Sequence, residues 1–291
     1  MIHVKLAVWL CAACLLTGSL PCAPRPSAGP RQLSGPYLGQ TPPGDTATLF
    51  APGVVSTRAL EYALEVSPSG DEILFTRDVT VMLASRRPDG SWRGPVAAPF
   101  SGVHIDGEST LSPDGRAAYF MSRRPAPGAR FPSNLWVSRK SGEAWLPPQR
   151  VTTLTHHREL HAPHVVADGT IYDDGVVRFR FVAGGHLPAE TVTGAPVGRS
   201  PYVSADERFM IFAARTAGRG DHDLYVVFRQ ADGSWGPRIH MGDAVNSRFN
   251  EGNPFVSADG RYLFFSSSRS GNGDIYWMSA SVMERLRRPR P

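Results

Sequence analysis

The chain is short of cysteine. Its 291 residues hold three, Cys11, Cys14 and Cys22, and all lie in or beside one N-terminal apolar run. The bulk of the chain is therefore read as free of disulfides and thiol chemistry. Long hydrophobic runs are also missing. The longest, LAVWLCAACLL at residues 6–16, is too short to span a bilayer. No Gly-x-Ser-x-Gly elbow occurs, nor a phosphate-cradling loop ending in Gly-Lys-Ser/Thr. The basic end, RLRRPRP, has no aromatic residues interleaved with it, so it reads as a solvated tail and not as a nucleic-acid patch.

The apolar run follows Lys5 and precedes the small residues TGS at 17–19, the arrangement of an export signal over residues 1–22. Cys22 raises the question of lipidation, which would tie the protein to a membrane. Pro21 before it and Ser19 make a poor lipobox, so a periplasmic or extracellular protein is expected before an outer-membrane lipoprotein. Residues 23–43 are Pro-rich and read as a linker. A folded domain is expected over 44–285, with a basic tail at 286–291.

What is abundant is turn chemistry. Gly 29 and Pro 26 suit many short strands joined by turns. One pattern recurs: SPSGDEILFTR from Ser67, SPDGRAAYFMSR from Ser112, a worn VADGTIY from Val166, SADERFMIFAAR from Ser204 and SADGRYLFFSSSR from Ser257. The intervals between these starts are 45, 54, 38 and 53 residues. Each unit reads as strand, Asp-Gly turn, aromatic-rich strand, loop and third strand. A fourth follows where Trp92, Trp145 and Trp235 stand two or three residues before a proline, which confines a strand to an edge.

Four short antiparallel strands per unit at this period predict an all-β fold, a β-propeller of five blades. The innermost strands are expected to begin near Glu61, Asp106, Leu160, Arg199 and Glu251. The last unit ends one strand short. TATLFAPGVV at residues 46–55 is expected to supply it, so that an N-terminal strand closes the last blade. The third blade is worn: a DDG turn replaces the long glycine loop, and His186 stands where its neighbours have Trp.

The repeat SPDGR…YF.SR and the stretch SADGRYLFFSSSRSGNGDIYW resemble the TolB-type, WD-like β-propeller repeats of bacterial envelope proteins. The resemblance covers roughly residues 36–285. It implies the fold and a role as a protein-binding platform, an accessory domain or, occasionally, an enzyme such as an oligogalacturonate lyase. It implies no catalytic set.

Chemistry is therefore sought where the blades differ. HIDGE places His104, Asp106 and Glu108 on one face of an extended chain. With Glu61, Arg199, Glu251 and His161 these are the candidates for a binding site at the channel entrance. His161 and His164 are weak metal candidates, because residues three apart point to different faces of a strand. The Asp-Gly-Ser-Trp stretches at Asp89 and Asp232 fail the spacing of a sialidase Asp-box. RGD at residues 219–221 is too short to argue adhesion. The expected function is a monomeric exported platform for a protein or glycan, without catalysis, cofactor or nucleic acid. The alternative is a secreted polysaccharide lyase or glycoside hydrolase using the same entrance groups, with a metal as an option.

Overall fold

The computed structural model describes residues 33–152, 159–175, 177–183, 185–192, 198–216 and 222–287. The expected export signal, Cys22, His156, His157, RGD and the end of the basic tail lie outside the described residues.

Blade one is β2 (Glu61–Val66), β3 (Glu72–Arg77), β4 (Thr80–Arg86) and β5 (Trp92–Ala97), and the strand before it is β1 (Thr48–Leu49). Blade two is β6 (Asp106–Leu111), β7 (Ala117–Ser122), β8 (Asn134–Ser141) and β10 (Gln149–Arg150), with β9 (Ala144–Trp145) folded back on β8. Blade three is β11 (His164–Val165), β12 (Ile171–Asp173), β13 (Val177–Phe179) and β16 (Glu190–Thr191); β14 (Phe181–Val182) and β15 (Gly185–His186) form a small separate ribbon. Blade four is β17 (Arg199–Val203), β18 (Phe209–Arg215), β19 (His222–Phe228) and β20 (Ile239–His240). Blade five is β21 (Glu251–Val256), β22 (Tyr262–Ser267), β23 (Asp274–Ser279) and then β1. The all-β, five-bladed propeller is thus the fold, and the N-terminal strand closes it: Thr48 pairs with Trp277 and Leu49 with Tyr276.

Four inner strands begin at or beside the expected residues. The third begins four residues late, at His164, because Ala162 is left-handed and Pro163 has no N–H for the ladder. His186 does not occupy the fourth strand of its blade; it pairs with Phe181 in the ribbon.

The apolar runs are continuous because each blade is sandwiched by two others. On β3, Ile73 and Phe75 pack toward blade five, while Leu74 packs toward blade two. On β22, Tyr262 and Phe264 face blade one, and Leu263 and Phe265 face blade four. Five apolar clusters result, one between each pair of neighbouring blades, including blades five and one. Phe50, just past β1, is fully buried edge-on against Phe264 and Trp277.

The repeated serine has a structural task. The hydroxyls of Ser67, Ser112, Ser204 and Ser257 each accept the backbone N–H of the residue opening the next strand: Glu72, Ala117, Phe209 and Tyr262. Asp114, Asp206 and Asp259 in turn accept from those serines. Val166 cannot do this, and blade three relies on Asp168 alone, which accepts from Thr170 N–H. The loop aspartates are structural too: Asp223 accepts from Thr216, and Asp274 from Ser270.

Two flanking segments pack on the blades. Leu38 is buried, the Trp92 indole donates to Gly35 O, and Tyr37 lies edge-on to Tyr262. At the other end a helix not anticipated from the sequence, α1 (Ser281–Arg287), buries Val282 and Met283 against blades four and five.

Candidate functional site

Every blade repeats one backbone irregularity at the axis. Ala63, Glu108, Ala162, Ser200 and Asn253 each have φ between 45° and 52°, although none is glycine. They stand near the start of the five inner strands. In the four blades where the inner ladder runs past this point, its register shifts there, a bulge. The bulge turns backbone N–H groups out of the ladder and onto the preceding blade: Glu108 N–H donates to Thr76 Oγ1, Ala162 N–H to Glu108 Oε2, and Ser200 N–H to Asp174 Oδ1. These five residues line a void of about 30 Å³ at the axis, a waist.

Below this waist the inner strands run on for a few residues. The matching positions there are Glu65, Thr110, His164, Tyr202 and Phe255. Glu65 accepts Leu111 N–H, His164 Nε2 lies 2.9 Å from Val203 O, and Tyr202 donates to Val256 O. Each bond crosses to the next blade. His164 Nδ1 is 3.8 Å from Glu65 across the axis.

Above the waist the axis opens into a polar mouth of about 660 Å³. Of the entrance candidates, Glu61, Glu108, Arg199 and Glu251 line it, and His161 does not. Their surroundings differ. Glu61 is fully buried and bound by Arg77 and by Thr57 through both its hydroxyl and its N–H. Glu251 is held in the same way by Arg269, Ser247 and Ser267, and Asp106 by Arg124 and Ser101. The arginines reach on to loop carbonyls, Arg77 to Val54 and Val55 and Arg124 to Phe100. These three carboxylates form an arginine clamp that fixes the loop entering each inner strand. Asp106 does not reach the mouth lining.

Glu108 is different. Besides Ala162 N–H, its carboxylate has among the described residues only the His161 ring as a close partner, with Nδ1 3.9 Å away. Burial pushes its pKa up, aided by the neighbouring charge of Asp174 and opposed by the Ala162 N–H, by His161 and by the charge of Arg199. Tyr62, beside it, is pushed up to about 12, by burial first and then by Glu108 and Asp78. Glu108 lines both mouth and waist. His161 and His164 serve separate neighbours, and no three His, Cys, Asp or Glu residues among the described residues are placed to hold a metal ion.

Sequence reasoning missed Tyr62, Asp174, Arg215, His222 and Asn253, which also line the mouth. Aligning the repeats column by column would have found Asn253, because it shares the bulge position with Glu108. Asp174 sits in a turn that reads as a connector. Nothing local marks Arg215 and His222, since they meet only by cross-strand pairing.

No family model and no curated protein matches this chain. Solved structures do. The GH43 BlXynB protein from Bacillus licheniformis is 10% identical, with a TM-score of 0.53 over 79% of this chain and 54% of that one. TolB from Acinetobacter baumannii is 14% identical, with a TM-score of 0.49 over 78% of this chain and 54% of that one. A TolB-like protein from Agrobacterium tumefaciens is 18% identical, with a TM-score of 0.47 over 77% and 78%. This chain thus spans about half the length of the first two. At such identities the likeness speaks for the propeller fold alone.

Proposed function

We propose that this protein is an exported propeller that binds a glycan in its axial mouth and does not turn it over. The observation that supports this is the shape and chemistry of the mouth. At about 660 Å³ it falls in the range of sites that enclose a small ligand. A protein partner would instead bury about 800 Å² of a broad surface. The floor offers Ser200, Asn253 and Glu108, donors and acceptors suited to sugar hydroxyls.

A second reading follows from Glu108. A carboxyl with a raised pKa, sharing a mouth with Asp174, has the makings of a general acid. In that case the protein would cleave the glycan it binds. One experiment tests both: titration of the purified protein with a panel of neutral and acidic oligosaccharides, with product analysis after long incubation. Binding that Asn253→Leu weakens, without products, supports the platform. Products whose formation Glu108→Gln abolishes favour the enzyme. No binding to any member of the panel overturns the glycan reading.

A further inference from the structure

Charge is distributed unevenly around the mouth. Blade four lacks the arginine clamp. Counted from the left-handed residues Ser200 and Asn253, Gly198 and Ala214 stand where blade five has Glu251 and Ser267, and Thr216 stands in place of Arg269. A side chain at 198 is also sterically barred, because a Cβ there would lie 2.3 Å from the Phe212 ring. With no carboxylate at position 198 to hold, Arg199 and Arg215 of this blade are left to the cavity.

Two arginines and a histidine lie together there. Arg199 pairs with Ala213 across β17 and β18, and Arg215 lies two residues further along β18, hence on the same face. His222 is directly opposite Arg215 on β19. All three line the mouth, and Ala213 between the arginines leaves room for a ligand. Arg199 touches Asp174 through Nε alone, at 3.2 Å, and its side chain is 60% exposed. Arg215 is exposed, and its side chain has no hydrogen bond or ion pair among the described residues.

We infer that the lip of blade four is a carboxylate-recognition subsite, and that the glycan taken by the mouth is an acidic one, a uronic-acid oligosaccharide. This rests on the glycan reading above and narrows it. A guanidinium presents paired donors that match a carboxylate two by two. Tyr62 and Glu108 stand on other blades, where the hydroxyls of the same sugar would find partners. A phosphate concentrates nearly two negative charges on one small group, beside Glu108 and Asp174 in the same cavity; each uronate unit presents a single charge with several hydroxyls around it.

The test is calorimetric titration of the purified protein with a uronic-acid tetrasaccharide, with its carboxyl-reduced neutral counterpart, and with inorganic phosphate as competitor. The acidic sugar should bind about tenfold more tightly than the neutral one, the effect of one charge-assisted contact. Arg215→Met should weaken the acidic sugar more than the neutral one and so remove most of that preference, while Arg215→Lys should restore part of it. Thermal melting of both variants checks that the fold is intact. Equal affinity for the two sugars overturns the inference while the glycan reading stands. So does a preference that survives Arg215→Met, or phosphate competing as strongly as the acidic sugar. Binding to neither sugar overturns both.

Discussion

Glu251 and Glu108 stand at the openings of two inner strands, and their partners give them opposite work. Glu251 has no side-chain exposure and is bound by Arg269 and two serine hydroxyls. Removing one member of such a buried pair strands a charge, so it is a fixture of the fold. Glu108 has one backbone donor and a distant histidine, and burial raises its pKa. The sign of its effect on stability follows. A raised folded-state pKa means that the fold prefers the protonated carboxyl. The associated stability is present below the unfolded value and is lost as pH rises through the folded one. Wild type should therefore lose thermal stability relative to Glu108→Gln as pH rises above the ordinary carboxylate range. Melting both across that rise checks this, and a constant difference would contradict it.

At the scale of the element, the inner strand is defined by its bulge. A left-handed conformation costs a residue with a Cβ roughly 1–2 kcal/mol, and five such residues persist because each stands beside the axis, where the N–H that a bulge frees is taken up by the preceding blade in blades two, three and four. Ala63 is the simplest to probe, with φ 51° and no polar side chain. Ala63→Gly should stabilise by about 0.5–1 kcal/mol, since glycine enters this region freely but loses more chain entropy. Ala63→Val should destabilise, because a β-branched side chain fits there poorly. Urea unfolding of both variants measures the difference; similar midpoints would mean that the strand relaxes out of the bulge. The blade repeats were legible as strands because turn serines and aromatic runs are local features. The bulges were not, since Ala, Glu, Ser and Asn share no chemistry that announces a positive φ.

At the scale of the molecule, stability depends on closure. Blade five takes three strands from the end of the chain and one from the beginning, and Phe50 seals the cluster between blades five and one. Deleting residues 46–55 removes β1, Phe50 and Val55, and uncovers Trp277. Loss of a buried Phe alone costs about 3–5 kcal/mol, and a chain of this size shifts by about 2–4 °C per kcal/mol. The deletion should lower the melting temperature by roughly 10 °C or more. A melt within about 2 °C of wild type would show that the pairing contributes little.

The sequence by itself determined the blades. Turn serines, Asp-Gly pairs and double-sided apolar runs act within some fifty residues, and the missing last strand pointed to its N-terminal partner. It also placed Glu61, Arg199, Glu251 and Glu108 near the axis, because strand starts can be counted. Only the tertiary structure decided which of them are free. Arg77 and Arg269 occupy two of the carboxylates, whereas Arg199, Arg215 and His222 come together across β17, β18 and β19. Whether a charge is spent on the fold or left to a ligand depends on neighbours that only the closed ring supplies.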